Sequence, residues 1–245
     1  YMRVIVIGVI ILLVLYLLLT YLFSDRKVIK SGILRSDASE QNKIVKADEI
    51  PYKEGTTDFT ISFWLYIDKY RSTTMGSKYP ILEKFSNNNK LFEISLNDSK
   101  NDINFSLNTK SGNGPVQRLS LENVYLQKWI NVIMTAETRN LDIYLNGKLE
   151  ETLILDSLPN GDINSERTSF IFFQGLDSNS NSQMKVSNVQ YLTRSITPRE
   201  GWTIYKEGYR NLGVIGFLTN ILSGYQIKFL FKKNGDKITE FDIGN

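Results

Sequence analysis

Nucleophilic catalysis usually pairs Ser, Thr or Cys with His, and this 245-residue sequence contains no His and no Cys. Those two absences remove disulfides, thiolate nucleophiles, Ser-His-Asp machinery, iron–sulfur ligation and zinc sites built on Cys or His. Carboxylates, Lys and Tyr remain to move protons. Glu93 has no acidic neighbour two positions away, and Glu150 and Glu151 are adjacent, which on a strand sends them to opposite faces. Retaining glycoside hydrolysis needs two carboxylates about 5–5.5 Å apart in one cleft, so these positions read as solvated strand charges. Asp177, Asn179 and Asn181 put oxygen donors at alternate positions, as at the start of an EF-hand loop. Ser182 stands where that loop needs Gly and Asn188 where it needs a bidentate Glu. A polar loop tip is therefore expected, with calcium as the alternative, and no cofactor is expected. Ser111-Gly112-Asn113-Gly114-Pro115 lacks the Lys and the helix of a phosphate loop. The net charge of +3 gives no footprint for nucleic acid.

The elements that must position any site are unevenly distributed. Val4–Phe23 is a run of twenty uncharged, almost wholly apolar residues. At 1.5 Å per residue it is about 30 Å long as a helix, the thickness of a hydrocarbon core. A signal peptide has a shorter apolar core and a small-x-small exit, whereas this run ends Leu22-Phe23-Ser24-Asp25. A retained membrane anchor is the expectation. Arg26, Lys27, Lys30 and Arg35 follow the run and only Arg3 precedes it, which by the positive-inside rule leaves the large domain on the cytoplasmic side. The sequons at Asn97 and Asn104 point the other way, but arise easily in an Asn-rich chain.

After a polar stem the period becomes two. Along Asp58–Asp68, Phe59, Ile61, Phe63, Leu65 and Ile67 share one face, and Thr60, Ser62, Trp64, Tyr66 and Asp68 the other. Such alternation predicts a strand. Further short strands are predicted at Ile81–Phe85, Leu91–Leu96, Ile103–Thr109 and Val116–Leu121, with Asn/Asp/Gly/Ser clusters between them. This spacing suits a sandwich or barrel rather than βαβ units. Trp129–Ala136, Leu141–Leu145 and Lys148–Leu155 form a meander, with Asn146-Gly147 as a type I′ turn. Thr197, Pro198 and Glu200 compose a capping box with Pro at the first helical position. In the tail, Val214, Phe217, Leu218, Ile221 and Leu222 have helical spacing, readable as a cover for the sandwich or as a membrane or partner contact. Tyr225–Ile243 is a predicted hairpin with a three-residue loop Asn234-Gly235-Asp236, placing Ile227, Phe229 and Phe231 opposite Ile243, Phe241 and Thr239.

Trp129, Val132 and Leu141–Leu149 follow the order W-x-x-V, polar turn, L-D-I-Y-L-N-G-K-L. That order resembles the core meander of laminin-G-like domains in the concanavalin A-like superfamily. Phe170–Gly175 and Met184–Leu192 resemble its later strands. With the anchor and the T-P-x-E-x-W-x-x-Y helix of Thr197–Tyr205, the chain resembles membrane-anchored virion proteins of large DNA viruses. The resemblance implies a mainly β, antiparallel jelly-roll sandwich preceded by one transmembrane helix. It divides the chain into an anchor (1–23), a stem with a first edge strand (24–55), a sandwich closed by a helix at 198–207 (56–209), and an apolar segment with a hairpin (210–245). Some superfamily members are glucanases carrying E-x-D-x-E on a strand, which this chain lacks. The implied role is structural and non-enzymatic: a minor capsid component linking an inner membrane, through lipid and capsid contacts, to the shell. The alternative is a surface-displayed glycan- or receptor-binding lectin-like protein with Asn-rich loops. Trp64, Trp129 and Trp202 are expected to be core or core-edge anchors rather than sugar platforms.

Overall fold

The computed structural model describes residues 12–13, 15–16, 27–72, 78–110, 116–210, 227–233 and 236–243. The chain divides into two units, Asp25–Arg210 and, separately, Tyr1–Ser24 with Asn211–Asn245. In chain order the first strands are β1 (Lys27–Lys30), β2 (Leu34–Arg35), β3 (Ile44–Val45), β4 (Phe59–Tyr70), β5 (Lys78–Ser86), β6 (Asn89–Asn97), β7 (Ile103–Leu107) and β8 (Gln117–Leu121). There follow β9 (Trp129–Glu137), β10 (Asn140–Leu145), β11 (Lys148–Ile154), β12 (Thr168–Phe172) and β13 (Ser182–Leu192), then helix α1 (Pro198–Lys206).

The strands form two antiparallel sheets. One has seven strands, in the order β1-β13-β4-β9-β10-β11 with β2 also on β13, and the other has six, in the order β3-β12-β5-β6-β7-β8. The polar segment before β4 thus contributes strands to both sheets, and β1 is an edge strand. The sheets face each other through one apolar core. Phe59 of β4 stacks on Phe92 of β6 with centroids 5.5 Å apart, and Phe170 of β12 meets Tyr191 of β13 edge-on at 5.4 Å. As the alternation predicts, Phe59, Ile61, Phe63, Leu65 and Ile67 are buried in that core. Each contributes about 1.5–3 kcal/mol relative to exposure.

The other face of β4 is also covered, because α1 lies across the seven-stranded sheet. Ile204 of α1 packs with Ile133, Tyr144, Leu192 and Ile196 in a second, smaller cluster. The Thr197 hydroxyl accepts from the Glu200 N–H and the Glu200 carboxylate accepts from the Thr197 N–H, which completes the capping box. Several polar groups under the helix find partners instead of water, although Trp64 Nε1 and Asn131 Oδ1 have none among the described residues. Thr60 Oγ1 donates to the Arg194 carbonyl at 2.8 Å, and Asn131 Nδ2 donates to Ser62 Oγ at 3.2 Å. Beyond α1, Ser187 Oγ donates to the Tyr209 carbonyl at 2.7 Å and Asn188 Nδ2 to the Gly208 carbonyl at 2.9 Å.

In the second unit, β14 (Ile227–Lys233) pairs with β15 (Asp236–Ile243). The predicted opposition of Ile227, Phe229 and Phe231 to Ile243, Phe241 and Thr239 is observed, but by a different route. Lys233 pairs with Asp236, and a register shift at Ile238, rather than a three-residue loop, restores the phase. Leu12, Leu13, Leu15 and Tyr16 are helical and exposed, while the rest of Val4–Phe23 and the tail from Asn211 to Leu222 lie outside the described residues. No described helix is long and apolar enough to cross a membrane.

Asn146 (φ 51°) and Gly147 (φ 77°) both take the left-handed conformation of the predicted type I′ turn. This turn also abuts α1: a Cβ on Gly147 would sit 2.9 Å from Tyr205 Cβ and 3.1 Å from Trp202 Cα. Strain and overlap therefore act together. Gly147→Ala is expected to destabilise the sandwich by about 2–4 kcal/mol in urea unfolding, whereas a loss below about 1 kcal/mol would show that α1 yields freely.

Candidate functional site

Pairing across the six-stranded sheet aligns Ile44, Ile171, Glu83, Glu93, Ser106 and Arg118 in one row on its outer face. A second row carries Ser95, Asn104 and Ser120, where Ser120 Oγ donates to Asn104 Oδ1 at 3.0 Å. Glu83 and Glu93 are thus direct cross-strand neighbours. A register shift at Leu91 brings them together: it pairs Glu83 with Glu93 and Lys84 with Phe92. Without the extra residue, a two-residue turn at Asn87-Asn88 would pair Glu83 with Phe92. Sequence reasoning sought two acids within one strand and so missed a pair formed between strands.

Cations neutralise both acids. Lys90 Nζ bonds to Glu83, and to Glu93 at 2.6 Å, and Lys78 bonds to the other oxygen of Glu93. The carboxylates are nearly inaccessible, at 2% and 4% side-chain exposure, whereas Lys78 is 54% and Lys90 38% exposed. Burial disfavours the Glu93 carboxylate, but hydrogen bonds from Lys78 and Lys90 outweigh it and hold the group below the usual carboxylate range. Burial likewise opposes the Lys90 charge, and the bonds to Glu83 and Glu93 raise its pKa in spite of it. A glycosidase acid needs the opposite shift, upward. Glu93 is arranged to stay ionised. Glu83 Oε2, buried, has no hydrogen-bond partner among the described residues.

The other candidates do not join this face. Asp177 Oδ1 accepts from Asn179 N at 2.9 Å and from Ser180 Oγ at 3.0 Å, so the carboxylate closes its own loop. The Asn181 carbonyl accepts from Arg71 N at 3.1 Å. Among the described residues no group of three or more His, Cys, Asp or Glu side chains converges to hold a metal. Glu150 and Glu151 lie exposed on β11, the last strand of the seven-stranded sheet. Trp64 is buried beside Tyr205, centroids 5.6 Å apart, and Trp129 stacks on Tyr209 at 4.7 Å. Trp202 is 40% exposed against Tyr205. The tryptophans gather at the covered sheet, around α1, not in the main core and not beside the polar rows.

Removing Lys90 leaves two buried carboxylates facing each other. Lys90→Met is expected to cost about 1–3 kcal/mol near neutral pH, less than for a fully buried pair because Lys90 is partly exposed. Because the folded-state pKa of Glu93 is depressed, its contribution is present above the ordinary Glu range and lost as pH falls through the folded value. Wild type and variant should therefore converge in acid; urea unfolding that shows a constant gap down to about pH 3 would contradict the clamp.

Residues 39–200 match a laminin-G-type family described as the concanavalin A-like lectin/glucanases superfamily. The chain is 34% identical over 151 residues to botulinum neurotoxin type F of Clostridium botulinum, covering 58% of this chain and 11% of the toxin. It is 31% identical over 126 residues to botulinum neurotoxin type E of Clostridium butyricum, covering 48% of this chain and 10% of that toxin. The binding domain of botulinum neurotoxin serotype G shares its fold with a TM-score of 0.57 at 19% identity, over 74% of this chain and 46% of that one. The ligand-binding domain of serotype D, solved in complex with N-acetylneuraminic acid, aligns with a TM-score of 0.52 at 15% identity, over 74% of this chain and 41% of that one. The chain thus spans about a tenth of the toxins it matches and under half of the solved domains. The matched family covers the sandwich from before β3 into α1, and the chain belongs to the concanavalin A-like lectin/glucanases superfamily.

Proposed function

We propose that the sandwich is a non-catalytic, lectin-like module that binds an acidic glycan, or a receptor bearing one, on the outer face of the six-stranded sheet. The observation that carries this reading is the vertical order of charge there. Glu83 and Glu93 are buried and neutralised, while Lys78, Lys90 and Arg118 reach solvent beside Asn104, Ser106 and Ser120. Exposed cations over hydroxyl and amide groups suit a sugar that carries a carboxylate. A pair of acids clamped by lysines, with Glu93 held below the usual carboxylate range, does not suit hydrolysis. Kinship supports the same reading, because the similar solved domains are toxin binding domains, one of them holding N-acetylneuraminic acid. These relatives give no support to a link between a viral membrane and capsid proteins. Hydropathy supports Val4–Phe23 as an anchor that displays the module on a bilayer, and a module that meets glycans must face outward.

Calorimetric titration of the full chain with a sialylated oligosaccharide should show binding that weakens with salt and with removal of the terminal acid. Arg118→Ala and Lys78→Ala should each weaken it by about 1 kcal/mol, roughly fivefold in Kd. Equal binding to the desialylated sugar, or none to either, would count against the reading. Protease added outside intact vesicles should remove the domain; protection would restore the cytoplasm-facing orientation, whereas glycans on Asn97 or Asn104 in a glycosylation-shift assay would exclude it.

A further inference from the structure

Next to Glu83 in sequence, but on the other side of the sheet, Lys84 points into the sandwich core and has no exposed surface. Its Nζ lies 3.6 Å from the centroid of the Tyr191 ring and 4.9 Å from that of Phe170. It has no hydrogen-bond partner among the described residues. Ring faces attract an ammonium, but they do not replace its hydration, and an ion without a counter-ion is among the costliest things to bury.

Among the described residues, the surrounding elements offer no counter-charge. Phe170 on β12, Phe92 on β6 and Phe59 on β4 are apolar. Tyr191 on β13 is the titratable neighbour, and its hydroxyl is turned away to the Ile163 carbonyl at 3.1 Å and Asn164 Oδ1 at 2.7 Å. Burial raises the Tyr191 pKa well above its ordinary value, which keeps it neutral. Glu83 and Glu93 lie on the opposite face, held by Lys78 and Lys90. Lys43, the other buried amine, bonds instead to Glu40 and to the Leu176 carbonyl. The pairing of β5 with β6 shifts register on both sides of Lys84, between Pro80 and Leu82 and between Lys84 and Phe85. The ladder is thus already interrupted where the amine sits.

We propose that Lys84 is a proton-linked latch: taking up a proton opens β5 from β6 and β12, so the sandwich weakens as pH falls. Burial alone drives the Lys84 amine well below the ordinary lysine range, in keeping with a neutral group in the folded core. The direction follows from linkage. Below the ordinary lysine pKa of about 10.4 the unfolded chain carries a proton that the folded chain refuses, so stability declines with pH until the folded-state value is passed. The proposal concerns folding and does not depend on the glycan reading.

The test is urea unfolding of the full chain between about pH 6 and pH 10, wild type against Lys84→Met, which keeps length and apolar volume. The folding constant of wild type relative to the variant should fall by up to about tenfold per pH unit on acidification. Parallel curves would overturn the latch. If the variant does not fold, carbon-13 NMR of the lysine ε-carbons in wild type decides the matter. Lys84 must titrate below the other lysines, and co-titration with them overturns the proposal.

Discussion

β4 is buried on both faces, and much of the domain's architecture answers that constraint. Its inward residues, Phe59, Ile61, Phe63, Leu65 and Ile67, require a second sheet. Its outward residues Thr60, Ser62 and Trp64 are also inaccessible, and they require a cover, from which Thr60 draws a hydrogen-bond acceptor and Trp64 a ring to stack on. Helix α1 and the segments flanking it are that cover. Arg194 gives a carbonyl to Thr60, Tyr205 lies against Trp64, and Ile204 fills the small cluster under the helix. An unpaired buried hydroxyl or amide would cost about 1–3 kcal/mol, so the cover and the strand beneath it constrain each other. The close approach of α1 to Gly147 follows from the same seating.

Covering one sheet leaves the other to meet solvent. The six-stranded sheet alternates Phe92, Ile94, Ile103 and Phe105 inward with Glu93, Ser95, Asn104 and Ser106 outward. At Glu83 and Lys84 the two sides differ by one residue. Glu83 faces outward and is neutralised by a lysine, whereas Lys84 faces inward over the Tyr191 ring. A carboxylate and an amine adjacent in sequence are thus separated by the sheet itself.

Much of this was legible in the sequence, because it follows from local rules. The alternation of Phe59–Ile67 located the core face, Asn146-Gly147 located a turn with two positive φ values, and Thr197-Pro198 with Glu200 located the start of α1. What escaped was set by single-residue register shifts. The shift at Leu91 pairs Glu83 with Glu93, and the one at Ile238 gives β14–β15 its register without a third loop residue. A bulge changes which residues meet without altering strand composition, so no periodicity reports it. The buried Lys84 escaped for a related reason: its neighbours Glu83 and Phe85 gave no sign that the charged position faced inward. Trp64 and Trp129 did prove to be packing residues, though against the covering helix and the segment after it and not in the main core.

The proposed binding role rests on where a sugar sits, and a structure of the full chain with a sialylated oligosaccharide tests it most directly. The account predicts the sugar on the six-stranded sheet, its carboxylate within hydrogen-bonding distance of Arg118, Lys78 or Lys90 and its hydroxyls near Asn104 and Ser120. A sugar seated at the Asp177–Asn181 loop, or no bound sugar at saturating concentration, would contradict it.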